Sequence, residues 1–240
     1  MKFRIYFATA SLLLSPGIVK AEEFYIPVIY NLSTLFDFNP VKGNIKDLYS
    51  VGHNENGEET YRIKISANKD RCINSIELNN RDANMTISLT RDGRHLKGTK
   101  NGLPYLLQLD EHCNIVSSND NGHMITYTTY PNGLLKSVIF LDQKISTHFY
   151  DEGFNLIKTE FYISNMIASR NIVRYTQPTE KPLDYELINI SSFSTNIKAD
   201  STCEYSEKLV PTLCNLSIQK YENPLPALVK MRVQTNVDFY

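Results

Sequence analysis

Apolar and polar residues alternate one by one along much of the chain, and the alternation is clearest at the C-terminus. From Val229 to Phe239 every second residue is apolar or a threonine, and charged or amide side chains stand between them. Successive side chains of a β-strand point to opposite faces, so this segment predicts a strand with one face in a core and one in water. Shorter alternating or β-rich runs occur at residues 61–65, 73–78, 85–89, 134–141, 156–163, 185–190 and 216–221.

Turn signals separate these runs. They are Asn56-Gly57, Asp92-Gly93, Asn101-Gly102, Asn121-Gly122, Asn132-Gly133 and Glu152-Gly153. Asn-Gly and Asp-Gly pairs favour tight hairpins because both residues tolerate a positive φ. Apolar residues at helical spacing over a dozen positions are rare in this chain. The pattern therefore predicts an all-β protein, a mainly antiparallel sheet built from consecutive hairpins.

The turns also carry a weak internal repeat. Residues 130–136 and 150–156 each open on a tyrosine, pass through a turn that ends on glycine, and continue into apolar residues. Cys72 and Cys113 fall where the glycine stands in the other copies. The spacing resembles the YD-repeat and MORN-like hairpin arrays of secreted and surface proteins, in which stacked hairpins form one continuous sheet.

The first 21 residues have the three parts of a cleavable signal peptide. Lys2 and Arg4 give a positive start, an apolar run follows from Ile5, and the small residue Ala21 precedes the expected cut. A transmembrane anchor is the alternative, but it needs about 20 uninterrupted apolar residues. The run is shorter than that and contains a proline. We therefore expect cleavage after Ala21 and export as a soluble protein to the periplasm.

Cysteine content agrees with export. The four cysteines, Cys72, Cys113, Cys203 and Cys214, are an even number and fit disulfides formed in an oxidising compartment. Spacing alone leaves three connectivities open. We favour Cys203–Cys214 as a hairpin-sized loop and Cys72–Cys113 as a longer closure between two turns. Close Cys or Cys/His pairs of the zinc-binding kind are lacking, so we expect no metal and no cofactor.

Charge and length limit the possible partners and the domain count. Removal of residues 1–21 takes away three basic residues and no acid, which leaves 22 Lys and Arg against the 26 Asp and Glu. A mildly acidic chain argues against nucleic acid and anionic membrane as partners. No other stretch is apolar enough for a transmembrane segment. We expect residues 22–240 to form a single all-β domain, with a hairpin-repeat part over about 50–164, a connection over about 165–184 and a C-terminal hairpin part over about 185–240.

Five blocks of the mature chain carry a family resemblance: residues 36–47, 72–78, 182–185, 203–216 and 237–240. Their order and spacing, with the four cysteines, are similar to those of the YnfC-type proteins, an uncharacterised lipoprotein family of enteric bacteria. The resemblance implies no activity, ligand or catalytic residue. Proteins of that family are lipidated at a cysteine directly after the signal. No cysteine precedes Cys72 in this sequence, so we expect no lipid anchor.

Motifs that carry catalysis are missing from the sequence. It has no Gly-x-Ser-x-Gly turn, no Gly-rich phosphate loop and no His-Glu-x-x-His segment. The five histidines stand mostly in or beside turns, where a polar side chain needs no further role. We therefore assign no catalytic residue, and a hydrolase would need a site assembled in space from residues that leave no motif.

Aromatic residues give the best indication of a binding surface. Tyrosine offers an apolar ring with a polar tip, which suits contact with a protein or a glycan. The alternative is cross-strand aromatic packing in a sheet. The candidate residues are Tyr127, Tyr130, Tyr150, Phe154 and Tyr162. The leading hypothesis is a non-catalytic exported protein that binds an envelope protein or glycan; the alternatives are the motif-free hydrolase and a structural envelope protein without a discrete ligand.

Overall fold

A computed structural model gives the structure of residues 24–191, 197–221 and 227–240. The expected signal peptide, residues 1–21, lies outside these described residues. The described ranges hold one α-helix and sixteen β-strands. The helix α1 spans Pro27–Phe36, and the strands are β1 (Ile45–Asn54), β2 (Glu59–Ala67), β3 (Ile73–Asn80), β4 (Met85–Asp92), β5 (His95–Lys100), β6 (Leu103–Leu109), β7 (Ile115–Asp120), β8 (His123–Thr129), β9 (Leu135–Phe140), β10 (Gln143–Tyr150), β11 (Leu156–Ile163), β12 (Met166–Gln177), β13 (Lys181–Ser191), β14 (Ile197–Tyr205), β15 (Pro211–Lys220) and β16 (Ala227–Phe239).

The sheet closes on itself. Each strand pairs antiparallel with its neighbours in the chain, and β1 pairs with β16, which makes a closed barrel. At the closing seam Leu48 lies opposite Val237 and Ser50 opposite Thr235. The Ser50 and Thr235 hydroxyls lie 2.8 Å apart and are buried. The prediction of an all-β, antiparallel sheet built from consecutive hairpins is confirmed, and closure leaves the sheet without an unpaired edge.

On several strands apolar side chains point into the barrel and polar ones point out. On β2 the side chains of Tyr61, Ile63 and Ile65 are buried, whereas Arg62 and Lys64 between them are exposed. The same alternation runs through β3, β4 and β16. A one-residue slip would bring every charged side chain inside, so this alternation fixes the register.

The two rims of the barrel use different turns. We call the rim where β1 begins and β16 ends the terminal rim, and the opposite one the distal rim. Turns of the terminal rim repeat a five-residue pattern in which the first side chain accepts the N–H of the fifth residue, as Asp110 does from Asn114 at 2.8 Å and Asp151 from Asn155 at 2.8 Å. The fourth residue of this pattern has a left-handed backbone, for example Phe154 with φ 63°.

Cys113 stands at this fourth position with φ 65°, as the turn repeat predicted. The corresponding prediction for Cys72 was wrong. In that turn the left-handed residue is Arg71, with φ 64°, because the turn opens one residue earlier, at Asn68.

Turns of the distal rim include two-residue hairpin turns. Asn101-Gly102 and Asn121-Gly122 have positive φ at both residues, as their sequences predict. Leu141-Asp142 and Ser164-Asn165 adopt the same conformation without a glycine.

Two disulfides tie the barrel. Cys72–Cys113 joins the turn after β2 to the turn after β6, with Cα atoms 5.5 Å apart. Cys203 and Cys214 lie directly opposite each other on β14 and β15, with Cα atoms 4.0 Å apart. These are the pairings that spacing favoured. Residues 165–184, expected as a connection, contain β12 and the start of β13.

Residues 24–44, which we call the plug, lie inside the barrel. Helix α1 is buried on nearly every side, with Ile29 only 1% and Leu32 0% exposed. The chain then turns at Asp37, whose φ of 55° is left-handed, and returns to the terminal rim, where Lys42 bridges to Tyr25. The residue pattern of the sequence did not predict this helix. A helix surrounded by protein has no polar face, so the apolar periodicity of a surface helix is absent.

The plug packs mainly against the first half of the barrel. Its apolar side chains share one core with buried residues of β1 to β9, and Phe36 meets Tyr105 edge-on with ring centroids 6.3 Å apart. Most of the barrel side of this core comes from β1 to β9, including Leu48, Ile63, Ile65, Ile76, Leu78, Ile87, Leu89, Leu96, Leu107, Leu109, Ile115, Tyr127 and Val138, whereas β13, β15 and β16 contribute Leu183, Cys214 and Val233. The opposite half of the barrel is thereby left partly unfilled.

Candidate functional site

A cavity of about 720 Å³ lies between the plug and the inner faces of β10 to β16. Small-molecule sites in proteins span roughly 300–1,000 Å³. The cavity reaches the distal rim, because the exposed residues Asp82, Ala83 and Lys220 are among those that line it. It is thus a space large enough for a ligand, with its mouth at one rim.

The wall opposite the plug is mostly apolar. It is built by alternate residues of adjacent strands, whose side chains the sheet register turns inward. From β11 to β16 it includes Phe161, Val173, Leu187, Leu216, Ile218, Val229, Met231 and Val233. Such a surface favours the burial of apolar groups, at about 25 cal/mol per Å² removed from water.

Tyrosines from the plug and the barrel add polar groups to the wall: Tyr25, Tyr30, Tyr61, Tyr175 and Tyr185. The Tyr175 hydroxyl donates to the carbonyl of Leu156 and the Tyr30 hydroxyl accepts from its N–H, each at 3.0 Å. Burial raises the pKa of Tyr185 to about 12, so its phenol stays protonated at neutral pH. Tyr61 is 6% exposed, and its hydroxyl is buried without a hydrogen-bond partner among the described residues.

Asp37 brings a carboxylate into the cavity. It stands at the end of α1, where its own N–H bonds to the carbonyl of Ser33. Its side chain is accessible to solvent from the cavity, although protein surrounds it. This burial raises the pKa of the Asp37 carboxyl above its usual range. Burial and, to a smaller extent, the negative charge of Asp37 raise the pKa values of Tyr61 and Tyr185, which line the same cavity.

A hydrogen-bonded histidine lines the same cavity. His148 is 4% exposed, its Nε2 lies 3.0 Å from the Ser146 hydroxyl, and its Nδ1 lies 3.2 Å from the Thr159 hydroxyl. Ser146 and His148 share a face of β10, and Thr159 lies opposite His148 on β11. Burial lowers the pKa of His148 to about 4, so the imidazole is neutral at pH 7. Sequence analysis missed this group because its members are linked by strand pairing rather than by a motif.

The structure places the five aromatic residues predicted as a binding surface in different surroundings. Tyr127 is buried, with its hydroxyl 2.8 Å from that of Ser118. Tyr130 and Tyr150 meet edge-on below the plug, with ring centroids 6.0 Å apart. Phe154 is exposed in a turn of the terminal rim, and Tyr162 lies on another strand.

Tyr162 packs against a group of charged side chains. Its hydroxyl donates to the Glu160 carboxylate at 2.8 Å, and Lys158 and Arg170 pair with the same carboxylate. The hydroxyl of Tyr162 is therefore satisfied by a hydrogen bond to a carboxylate of its own strand. Hydrogen bonding and packing therefore account for four of the five residues, and Phe154 alone stays exposed.

Within the described ranges, no three His, Cys, Asp or Glu side chains are grouped so that they could hold a metal ion. The one helix of that part of the chain is too short to span a membrane.

One solved structure resembles this chain in fold. A crystal structure of a porin-like protein from Bacteroides uniformis matches with a TM-score of 0.53 over 82% of this chain and 98% of that chain. The two sequences are only 10% identical. The likeness therefore supports the fold alone.

Other proteins resemble this chain in sequence, with higher identity than the porin-like protein. The UPF0257 lipoprotein YnfC of Salmonella typhi is 24% identical over 222 residues, which cover 92% of each chain. The proteins of the same name from Salmonella dublin and Salmonella typhimurium match with the same identity and coverage. The sequence pattern of the Uncharacterised protein family (UPF0257) matches residues 1–240. The chain belongs to this family, as the blocks around its cysteines indicated.

Proposed function

We propose that this protein is an exported, non-catalytic binding protein that holds an apolar or amphipathic small molecule inside its barrel. The cavity of about 720 Å³ between the plug and β10–β16 carries the proposal. Protein interiors are packed as densely as organic crystals, and voids larger than a water molecule are few. A space of this size is therefore better explained as a binding site than as a packing defect.

The polar outer surface supports a protein that works in water. Barrels that span a membrane turn apolar side chains outward to lipid. Here the outward positions of β2 and β3 include Arg62, Lys64 and Glu77, all exposed. Charged residues in the middle of outward faces are costly in lipid and favourable in water.

Export to the periplasm follows from different observations. Two disulfides suit an oxidising compartment, and the Salmonella relatives are named lipoproteins. Cell fractionation, with intact-mass measurement of the purified protein, tests this part of the proposal. We expect a periplasmic protein that begins at Glu22 without an acyl group. A cytoplasmic protein, or an acylated or uncut N-terminus, would contradict it.

Ligand binding is tested with tryptophan as a reporter, because the chain contains none. Phe161→Trp places a single indole on the cavity wall, and Tyr49→Trp places one on the outer face of β1 as the matched control. The probe is 11-bromo-1-undecanol, whose bromine quenches indole fluorescence on contact. We expect saturable quenching of Trp at 161 and none above the collisional background at 49. Equal, non-saturating quenching in both variants would refute the cavity as a binding site.

A second candidate function rests on the pair Ser146 and His148. A serine hydroxyl 3.0 Å from a neutral imidazole is the geometry of a nucleophile and its general base. The third group is the hydroxyl of Thr159 rather than a carboxylate, so the imidazolium formed during attack lacks charge compensation. This makes an esterase the weaker candidate.

Labelling with a fluorophosphonate decides between the two functions. The binding protein is expected to stay unlabelled. Stoichiometric labelling of the wild type that disappears in Ser146→Ala, but persists in Thr147→Ala on the outer face of the same strand, would establish the hydrolase instead.

A further inference from the structure

We propose that the cavity selects amphipathic molecules with a positively charged head, such as alkylammonium compounds, and that Asp37 is the counter-ion of that head. This inference rests on the proposed binding function and adds the chemical class of the ligand. It is carried by the unpaired Asp37 carboxylate, by the phenols beside it and by the balance of charge along the cavity.

The first observation is the missing partner of Asp37. Within the part of the chain that the structure describes, Asp37 makes no salt bridge, and its carboxylate has no hydrogen bond to a neighbouring side chain. Asp37 is accessible to solvent and lines the cavity, so its carboxylate faces that space without a counter-ion among the described residues. A cation entering the cavity would supply the missing partner.

The second observation is the chemistry around Asp37. Tyr61 and Tyr185 line the same cavity as Asp37. Aromatic faces attract organic cations, and the effect is larger where water is excluded. A carboxylate with phenol rings beside it is a common solution for binding an alkylated amine.

The third observation is the distribution of charge. The other charged residues of the wall are Asp82 and Lys220, both at the distal rim. His148 is the remaining titratable base, and it is neutral at pH 7. The interior below the mouth therefore carries one negative charge and no positive one. The head group of a fatty acid would meet repulsion there, whereas a cationic head is attracted and its alkyl chain lies against the apolar wall.

Competition experiments on the Phe161→Trp protein test the inference. Bound 11-bromo-1-undecanol is displaced with decyltrimethylammonium, 1-decanol or decanoate, which share one chain length and differ in charge. We expect the cation to bind at least about tenfold more tightly than decanol, and decanoate to bind more weakly than decanol. Equal affinities, or a preference for decanoate, would overturn the inference while the saturable quenching kept the binding function intact.

A charge-neutral variant sharpens the test. Asp37→Asn should reduce affinity for decyltrimethylammonium about tenfold and leave decanol binding unchanged. The matched control is Asp142→Asn, which removes an exposed aspartate that also has a positive φ. Unchanged cation affinity in a folded Asp37→Asn protein would refute the role of Asp37. Should that variant not fold, the affinity order of the three decyl compounds on the Asp37-containing protein decides the question alone. Absence of any saturable quenching would instead refute the binding function itself.

Discussion

The side chain of Asn31 is held by backbone groups on both sides of Leu134. Its Nδ2 donates to the carbonyl of Gly133 at 2.9 Å, and its Oδ1 accepts the N–H of Leu135 at 2.7 Å. Asn31 is 0% exposed and belongs to α1, whereas Gly133 ends a turn 102 residues later in the chain. This two-sided contact fixes the plug to the terminal rim and so determines which half of the barrel is filled.

Replacement of Asn31 should therefore destabilise the barrel. Asn31→Ala leaves a buried carbonyl and a buried N–H without partners, at a cost of about 2–4 kcal/mol. Asn31→Asp keeps the acceptor for Leu135 but sets a carboxylate oxygen against the Gly133 carbonyl, so we expect at least as large a loss. Urea unfolding followed by circular dichroism measures both variants. Asn79→Ala, on the outer face of β3, is the control and should change stability by no more than about 0.5 kcal/mol.

The two disulfides should contribute unequally to stability. Cys72–Cys113 closes a separation of 41 residues and Cys203–Cys214 one of 11. In the chain-entropy account the longer loop contributes about 4 kcal/mol and the shorter about 3 kcal/mol. The double variants Cys72→Ala/Cys113→Ala and Cys203→Ala/Cys214→Ala, compared by urea unfolding, give the ranking.

A larger loss from the Cys203–Cys214 pair would contradict this account. It would mean that the disulfide acts on the folded barrel, where β14 and β15 are already joined by a hairpin, rather than on the unfolded chain. Reduction of the wild-type protein provides the control, because it should destabilise at least as much as either pair of substitutions.

The sheet and its turns were largely predictable from sequence, because their signals are local. Alternation along Val229–Phe239 is a property of one strand, and Asn101-Gly102 identifies its turn without reference to any other segment. The Leu141-Asp142 turn was not predictable, since neither residue favours a positive φ as glycine does. Closure into a barrel also leaves no local signal, because β1 and β16 stand at opposite ends of the chain.

The candidate site was not predictable, because its residues are assembled by register and closure. Tyr61 and Tyr185 belong to β2 and β13, and only the closed barrel brings both beside Asp37. In the sequence Asp37 stands before Phe-Asn-Pro, where an aspartate is typical of a solvated turn. Tyr127 illustrates the reverse case, since its place in an aromatic group suggested a surface and the strand register turned it inward.

Asp37→Asn should stabilise the ligand-free protein, and increasingly so as the pH rises. Burial raises the pKa of Asp37 in the folded state above its value in the unfolded chain. Because the pKa is raised, the folded protein favours the protonated Asp37 carboxyl. The stability that Asp37 contributes at low pH is therefore lost as the pH rises through the pKa that Asp37 has in the folded state. The phenols of Tyr61 and Tyr185 do not titrate in this range. Urea unfolding at pH 3.5 and pH 7 should show similar stability for the two proteins at the lower pH and a more stable variant at the higher pH.

The opposite pH dependence is expected for His148. Its folded pKa of about 4 lies below the ordinary histidine value near 6.5, because burial disfavours the imidazolium. In this pH range His148 therefore binds a proton in the unfolded chain but not in the folded protein, and stability is lost as the pH falls from about 6.5 to about 4. Converted at 1.36 kcal/mol per pKa unit, this loss is about 3 kcal/mol.

His148→Gln isolates that contribution. Glutamine keeps an amide within reach of Ser146 and Thr159 but does not titrate, so the variant should lose less stability than the wild type between pH 7 and pH 4.5. His112→Gln is the control, because that imidazole is exposed in a turn and should leave the pH profile unchanged. Parallel profiles for the wild type and His148→Gln would mean that other groups govern acid unfolding. In that case the buried imidazole of His148 would bind a proton as readily in the folded protein as in the unfolded chain.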